Sequence, residues 1–233
     1  MKRTKRTLVA IVAMMAIVCM SLVGCGPKAA PADQSISALF ELYAKNNTAP
    51  MQELLGFESE EAVYNAFYED DVELDFVAEM KNMIESAGIE LAEEDVQAFT
   101  DSLLGMVDRI SATAEITAEE GDVTTVTLKV NGYTTEDMMN VIVDALTSMQ
   151  ESITEEDAIA IAEGNEELVK QYMKQYFQDI VSGFNAMQPV TEPVEVVVEC
   201  KQQLVDVNGK EQAEWMPTDL EQFSADVNAA AFQ

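Results

Sequence analysis

The 233-residue chain contains no histidine. That absence excludes Ser-His-Asp and Cys-His nucleophilic catalysis, the H-E-x-x-H zinc site and imidazole-based metal centres. Neither a G-x-x-x-x-G-K-[ST] loop nor a G-x-G-x-x-G turn is present to cradle phosphates, so nucleotide and nicotinamide chemistry are not expected. Positive charge is scarce as well, with 13 Lys and Arg against 43 Asp and Glu. A net charge of −30 leaves no cationic face to neutralise phosphates, and nucleic acid is therefore not an expected partner. Direct contact with an anionic membrane surface is disfavoured for the same reason. The chain does have apolar content, 48% of its residues, in periodic stretches that a folded core can bury.

Basic residues concentrate at the start, where Lys2, Arg3, Lys5 and Arg6 precede an uncharged run from Leu8 to Val23. A bilayer crossing needs about 20 apolar residues, and this run falls short of that. Its length and flanks match an export signal. The residues Leu22-Val23-Gly24-Cys25 resemble a bacterial lipobox. The resemblance implies a diacylglycerol on the Cys25 sulfur, peptidase recognition through Leu22, Val23 and Gly24, cleavage before Cys25 and an acylated (palmitate-type) N-terminus. Two or more acyl chains hold a protein stably on a bilayer, whereas one holds it marginally. The expected location is the extracytoplasmic side of a cell membrane, by lipid anchor. Loss of residues 1–24 removes four basic residues and no acidic one, which takes the net charge to −34. Cys19 leaves with the signal and Cys25 carries lipid, so Cys200 has no partner and no disulfide framework is expected.

Residues 25–34 then read as the lipidated cysteine and a Pro/Ala-rich tether, reaching on the order of 25 Å if extended. From Ser35, Ile36, Leu39, Phe40 and Tyr43 set a helical period that Asn46-Asn47 stop. A short helix follows around Pro50 and Leu54-Leu55, ending at Gly56. Ser59 caps another carrying Ala62, Val63, Ala66 and Phe67. Val72, Phe76, Met80, Met83 and Ala87 continue helically, and Glu93-Glu94-Asp95 opens a helix through Val96, Phe99, Leu103 and Met106. The period then becomes two: Ala112, Ala114, Ile116 and, after Glu120-Gly121-Asp122, Val126, Leu128, Val130, an expected hairpin with one apolar face. Residues 35–133 form a first half on this reading and 134–233 a second.

The second half opens with capping starts at Thr134 and Thr154. Met138, Ile142, Ala145, Leu146 and Met149 supply the first of its stripes. Asn165 begins the longest helix, where Leu168, Val169, Tyr172, Met173, Tyr176, Phe177, Ile180, Val181 and Phe184 cover so much of the circumference that a central, buried position is expected. Val194, Val196, Val198 and Cys200 alternate as a strand, Asn208-Gly209 signals a tight turn, and Pro217 to Glu221 start a last helix anchored by Phe223 and Val227. The class is α+β, helices followed by an antiparallel hairpin, in an arrangement that two halves would repeat.

Acidic runs are the remaining chemistry. Glu69-Asp70-Asp71, Glu93-Glu94-Asp95 and Glu155-Glu156-Asp157 offer carboxylates for Ca²⁺ or for a glycosidase pair. The latter two sit at expected helix N-termini, where acids interact favourably with the dipole by about 0.3–1 kcal/mol each. None shows calcium-loop spacing, so capping is the expected role, with no metal and no cofactor. Cys200 and the helix methionines read as core. Tyr172, Tyr176 and Trp215 read as interior anchors with ligand stacking as the alternative, and Lys170 and Lys174 as partners of Glu166 and Glu167. With the lipobox, "TTVTLKV" (Thr124 to Val130) and "EWMPTDLEQF" (Glu214 to Phe223), the chain resembles a family of bacterial lipoproteins, largely of Gram-positive organisms, defined by a domain of unknown function. Cystatin-like and NTF2-like domains are the architectural analogy. The resemblance brings no catalytic residue, and the expected function is a non-enzymatic envelope module that binds a protein, peptide or small molecule. The alternative is a carboxylate-based hydrolase of envelope polysaccharide, which requires two acids roughly 5–9 Å apart in a cleft, one with a raised pKa.

Overall fold

An apolar stripe at helical spacing has to find a cover, and the helix that finds the most of it is the first. The computed structural model describes residues 29–68, 81, 82, 86 and 91–233. Helix α1 (Ala32–Lys45) closes where Asn46 turns left-handed at φ 54°. Ile36, Leu39, Phe40 and Leu42 are fully buried along it. Short α2 (Ala49–Leu55) stops at Gly56, whose φ of 80° suits glycine. In α3 (Glu60–Phe67) the Ser59 hydroxyl accepts the Ala62 N–H at 3.1 Å. Helix α4 (Glu93–Arg109) leads into the hairpin β1 (Ser111–Glu120) and β2 (Val123–Asn131).

The second half supplies α5 (Thr135–Ser152), α6 (Glu155–Ala162), α7 (Glu166–Ala186), β3 (Val194–Val207), β4 (Lys210–Pro217) and α8 (Leu220–Ala231). Four of these N-termini are side-chain capped. Thr134, Thr154, Asn165 and Asp219 accept the N–H groups of Asp137, Asp157, Leu168 and Gln222 at 2.9–3.2 Å, each worth about 1 kcal/mol. Asn208 and Gly209 both take positive φ, 54° and 79°, the pair of angles that a two-residue hairpin turn needs.

The two hairpins join edge to edge in one antiparallel sheet of order β1-β2-β3-β4. Val126 pairs with Val198 and Leu128 with Val196, while Ile116 and Ala114 face them from β1. β2 is thus interior, and Val126, Leu128 and Val130 are fully buried. In β3 the buried set is Val196, Val198 and Cys200, then Val205 and Val207 after four exposed residues. Even positions are buried up to Cys200 and odd ones from Val205, so opposite faces of the strand are covered at its two ends. The far end, with β4, meets α1 and α2, where Gln212 donates to the Leu55 carbonyl at 3.4 Å and Asn208 to Gly56 at 2.9 Å. α1 contacts β1, β2 and β4, so the sheet curls around it. The class is α+β, as the periodicities predict, and one core cluster draws on residues of both halves.

Helix α7 departs from its expected central place. Phe177, Ile180 and Phe184 are buried, but Val169 is 40% exposed and its N-terminal half has no buried residue. It packs on α4 through Phe99–Phe177 and Phe99–Phe184 ring contacts and on α5, with nothing equivalent to the sheet around it. A broad apolar circumference on α7 therefore earns less burial than the narrower stripe of α1.

The C-terminus is tied back to the corner between β2 and α5. Tyr133 N–H donates to Ala231 O at 2.8 Å and Gln233 N–H to Tyr133 O at 3.0 Å. Gly132 makes the approach feasible, because a Cβ there would run into the Ala231 carbonyl. The Arg109 guanidinium braces the same corner, donating to Tyr133 Oη at 3.0 Å and Phe184 O at 2.9 Å. Gly132→Ala is predicted to cost about 1–3 kcal/mol by overpacking against backbone. Gly105→Ala, in the middle of α4 with 3.6 Å to Arg109 as its nearest contact, is predicted to gain up to about 1 kcal/mol from helix propensity. Urea unfolding of the two variants checks the opposite signs.

Candidate functional site

The residues that carry the strongest sequence signal, Leu22, Val23, Gly24 and Cys25, lie outside the described residues, as do residues 1–28 generally. So do Glu69-Asp70-Asp71 and the stripe Val72, Phe76, Met80, Met83 and Ala87. On the described side, α1 begins at Ala32, seven positions after Cys25. The folded body therefore starts with its most buried helix almost at once after the expected anchor. No helix among the described residues is long and apolar enough to cross a membrane.

Beneath the N-terminus of α1 lies a carboxyl group that the sequence does not announce. Glu214 on β4 is 1% exposed. Its Oε1 accepts the Ser35 hydroxyl of α1, and Oε2 has no hydrogen-bond partner. Burial pushes its pKa up, against the opposing pull of the Ser35 hydroxyl and the Trp215 and Ala30 amides. The available signal was positional: Glu214 stands two residues before buried Met216, the spacing at which neighbours in a strand share a face.

The acidic runs at helix starts act locally. Glu94 and Asp95 receive Lys174 from α7 at 3.4 and 3.3 Å. Lys174 thus reaches across to α4 instead of pairing along its own helix, and the Asp95 hydrogen bond heads the causes that raise its pKa. Asp157 receives the Thr154 hydroxyl at 2.7 Å and Tyr172 Oη at 2.8 Å, bonds that lower its pKa. Tyr172 is thereby a brace between α6 and α7. Trp215 and Tyr176 pack against the core. Cys200 is fully buried, and desolvation pushes its thiol up to about 12, which suits a core side chain and not a nucleophile.

Open clefts on the described surface include the following. One of about 480 Å³ lies between α1 and α2, with Asp33, Glu41 and Glu53 among its walls. A second of similar volume follows α7 past Leu168, Lys170 and Lys174. A third of about 180 Å³ runs between β3 and the start of α8, past Val197, Asp219 and Phe223. Glu214, the carboxyl group perturbed by burial, lines none of them.

The most unusual surface is on α5. Ala145 is its one buried residue, and Met138, Val141 and Ile142 pack against the core. Leu146, which the helical period places in the buried stripe, is 39% exposed, and it joins Met139 and Val143 at 51% and 50%. Positions 139, 143 and 146 repeat at i, i+4, i+7, so they form one continuous apolar ridge. The doubled apolar positions Met138-Met139 and Ile142-Val143 were the sequence signal: they widen the stripe beyond what one packing face uses. Helix α6, next in the chain, has no buried residue and leaves Ile159 56% exposed.

Sign considerations give Glu214 a measurable consequence. Its folded-state pKa is raised, so the folded protein holds a proton that the unfolded chain has released. Its contribution to stability is full below the ordinary glutamate pKa and is lost as pH rises through the folded value. Glu214→Gln removes that component. In urea unfolding from pH 4 to 8, the stability of the variant relative to the parent is predicted to rise with pH; a flat difference contradicts the assignment.

The chain matches no family model and no curated protein. Among solved structures it is similar to ycdA of Bacillus subtilis, a protein assigned as a lipoprotein, at 15% identity and a TM-score of 0.48. The match covers 87% of this chain and 56% of the other, so the chain spans a little over half the length of that protein.

Proposed function

We propose that this chain is a lipid-anchored module on the extracytoplasmic face of a bacterial membrane, acting by binding a partner and not by catalysis. The anchoring half rests on Lys2, Arg3, Lys5 and Arg6, the apolar run behind them and Leu22-Val23-Gly24-Cys25. The short span from Cys25 to α1 supports it, because it holds the body close to the bilayer while a net charge near −34 keeps it off anionic headgroups. The observation that carries the binding half is the outward apolar ridge of Met139, Val143 and Leu146, since exposed contiguous apolar surface marks interaction sites. The placement of Glu214 favours binding over hydrolysis. A raised carboxyl group serves as a general acid only where substrate reaches it, and Glu214 is sealed under α1.

Intact mass spectrometry of the chain recovered from bacterial membranes tests the anchor. Cys25 is predicted to be the first residue, carrying a diacylglycerol. In Cys25→Ala the signal is predicted to stay attached, giving the full 25.6 kDa chain. A parent protein that retains residues 1–24 without acylation overturns the reading.

A further inference from the structure

We infer that the outer face of α5 is a docking surface for a cationic amphipathic helix of a partner protein. This rests on the binding-module reading and names what the module takes.

At about 100° per residue, the order around α5 runs from the packed side (Met138, Ala145) through Ile142 to the exposed ridge of Met139, Val143 and Leu146. Beyond the ridge, on the side away from the core, come Glu136, Thr147 and Asn140 and then Glu151 and Asp144, all exposed. The ridge is thus an apolar track with a polar kerb whose charges are all acidic. Its i, i+4, i+7 spacing is the pattern by which one helix anchors along another.

Charge then selects the occupant. From Val130 to Val169 the sequence has ten Asp or Glu and no Lys or Arg. No basic residue on α5 or α6 is available to neutralise the kerb. A second copy of this chain would bring another strongly acidic surface to it. The chain's own segment 69–90, with eight acids and one lysine, would do the same. Like charges set against each other oppose both arrangements. A helix with leucine-type residues on one face and lysine or arginine beside them satisfies ridge and kerb together.

The test uses the full chain in zwitterionic phosphatidylcholine nanodiscs, with empty discs as the blank. The probe is a fluorescent amphipathic Leu/Lys peptide of about 18 residues, five helical turns, and a Leu/Glu peptide of the same pattern is the control. The Leu/Lys peptide is expected to bind and the Leu/Glu peptide not. Val143→Glu and, independently, Met139→Glu are expected to weaken binding roughly tenfold or more, as loss of a central anchor does, while leaving the circular dichroism and Tm of these exposed positions unchanged. Raising salt from about 50 to 500 mM is expected to weaken it by a similar factor as the Debye length shrinks. Four results overturn the inference: no binding of the Leu/Lys peptide, equal binding of the Leu/Glu peptide, parent-like binding by both variants, or a dimer of the full chain that Val143→Glu dissociates. Acylation of Cys25 is read separately by mass. An acylated chain that fails the peptide test loses this inference and keeps its anchor, and an unprocessed chain that passes it does the reverse.

Discussion

Burial of α1 is the constraint on which the rest of the structure depends. Ile36, Leu39, Phe40 and Leu42 vanish from solvent, each contributing about 1.5–3 kcal/mol. To achieve it the sheet must offer both edge strands to one helix, and α1 does contact β1 and β4 as well as β2. β3 buries one face up to Cys200 and the opposite face from Val205, where it pairs with β4. The same arrangement brings Glu214 under the helix. Leaving one carboxyl oxygen without a partner costs about 1–3 kcal/mol, well below the gain from four apolar side chains. The fold therefore tolerates the buried acid, and the Ser35 hydroxyl lowers the penalty further.

Second to that core is a helical layer held more loosely. α5 meets α7 where Gly183 leaves room for Val141, and Ala145 is the only residue of α5 to be fully covered. α6 is fixed by its caps and by Tyr172 reaching Asp157, without a buried residue of its own. Such elements sit at the low-stability end of a protein, where binding surfaces are commonly found. The described molecule thus contrasts a tightly packed α1 with an acidic α5–α6 pair that has a single fully buried residue, Ala145.

Much of this division is legible in the sequence, but only one side of each contact. The caps at Ser59, Thr134, Thr154 and Asn165 and the turn at Asn208-Gly209 could be read directly, because each is a local hydrogen bond or a local φ. The alternating apolar residues of β2 and β3 marked their inward faces for the same reason. What covers a face is not local. The stripe of α7 is broader than that of α1, yet α1 is the more deeply buried, since depth depends on strands up to 180 positions away. Leu146 failed as a core residue because α5 is wide enough in apolar residues to pack one edge and expose another. Glu214 escaped notice because an acid in a strand with Glu211 and Gln212 nearby looks like a solvated edge until β4 is folded under α1. The pattern Leu22-Val23-Gly24-Cys25 is legible because it is linear, and for the same reason it carries no information about the fold.

Between the firm α1 core and the weakly held α5–α6 surface layer lies a contrast in stability that hydrogen exchange of the full chain measures directly. The amides of α1 and β2 are predicted to exchange slowest, and those of α5 and α6 well ahead of them, opening locally without global unfolding. Protection of α5 and α6 equal to that of α1 would contradict it, because the ridge would then belong to the core and not to the surface.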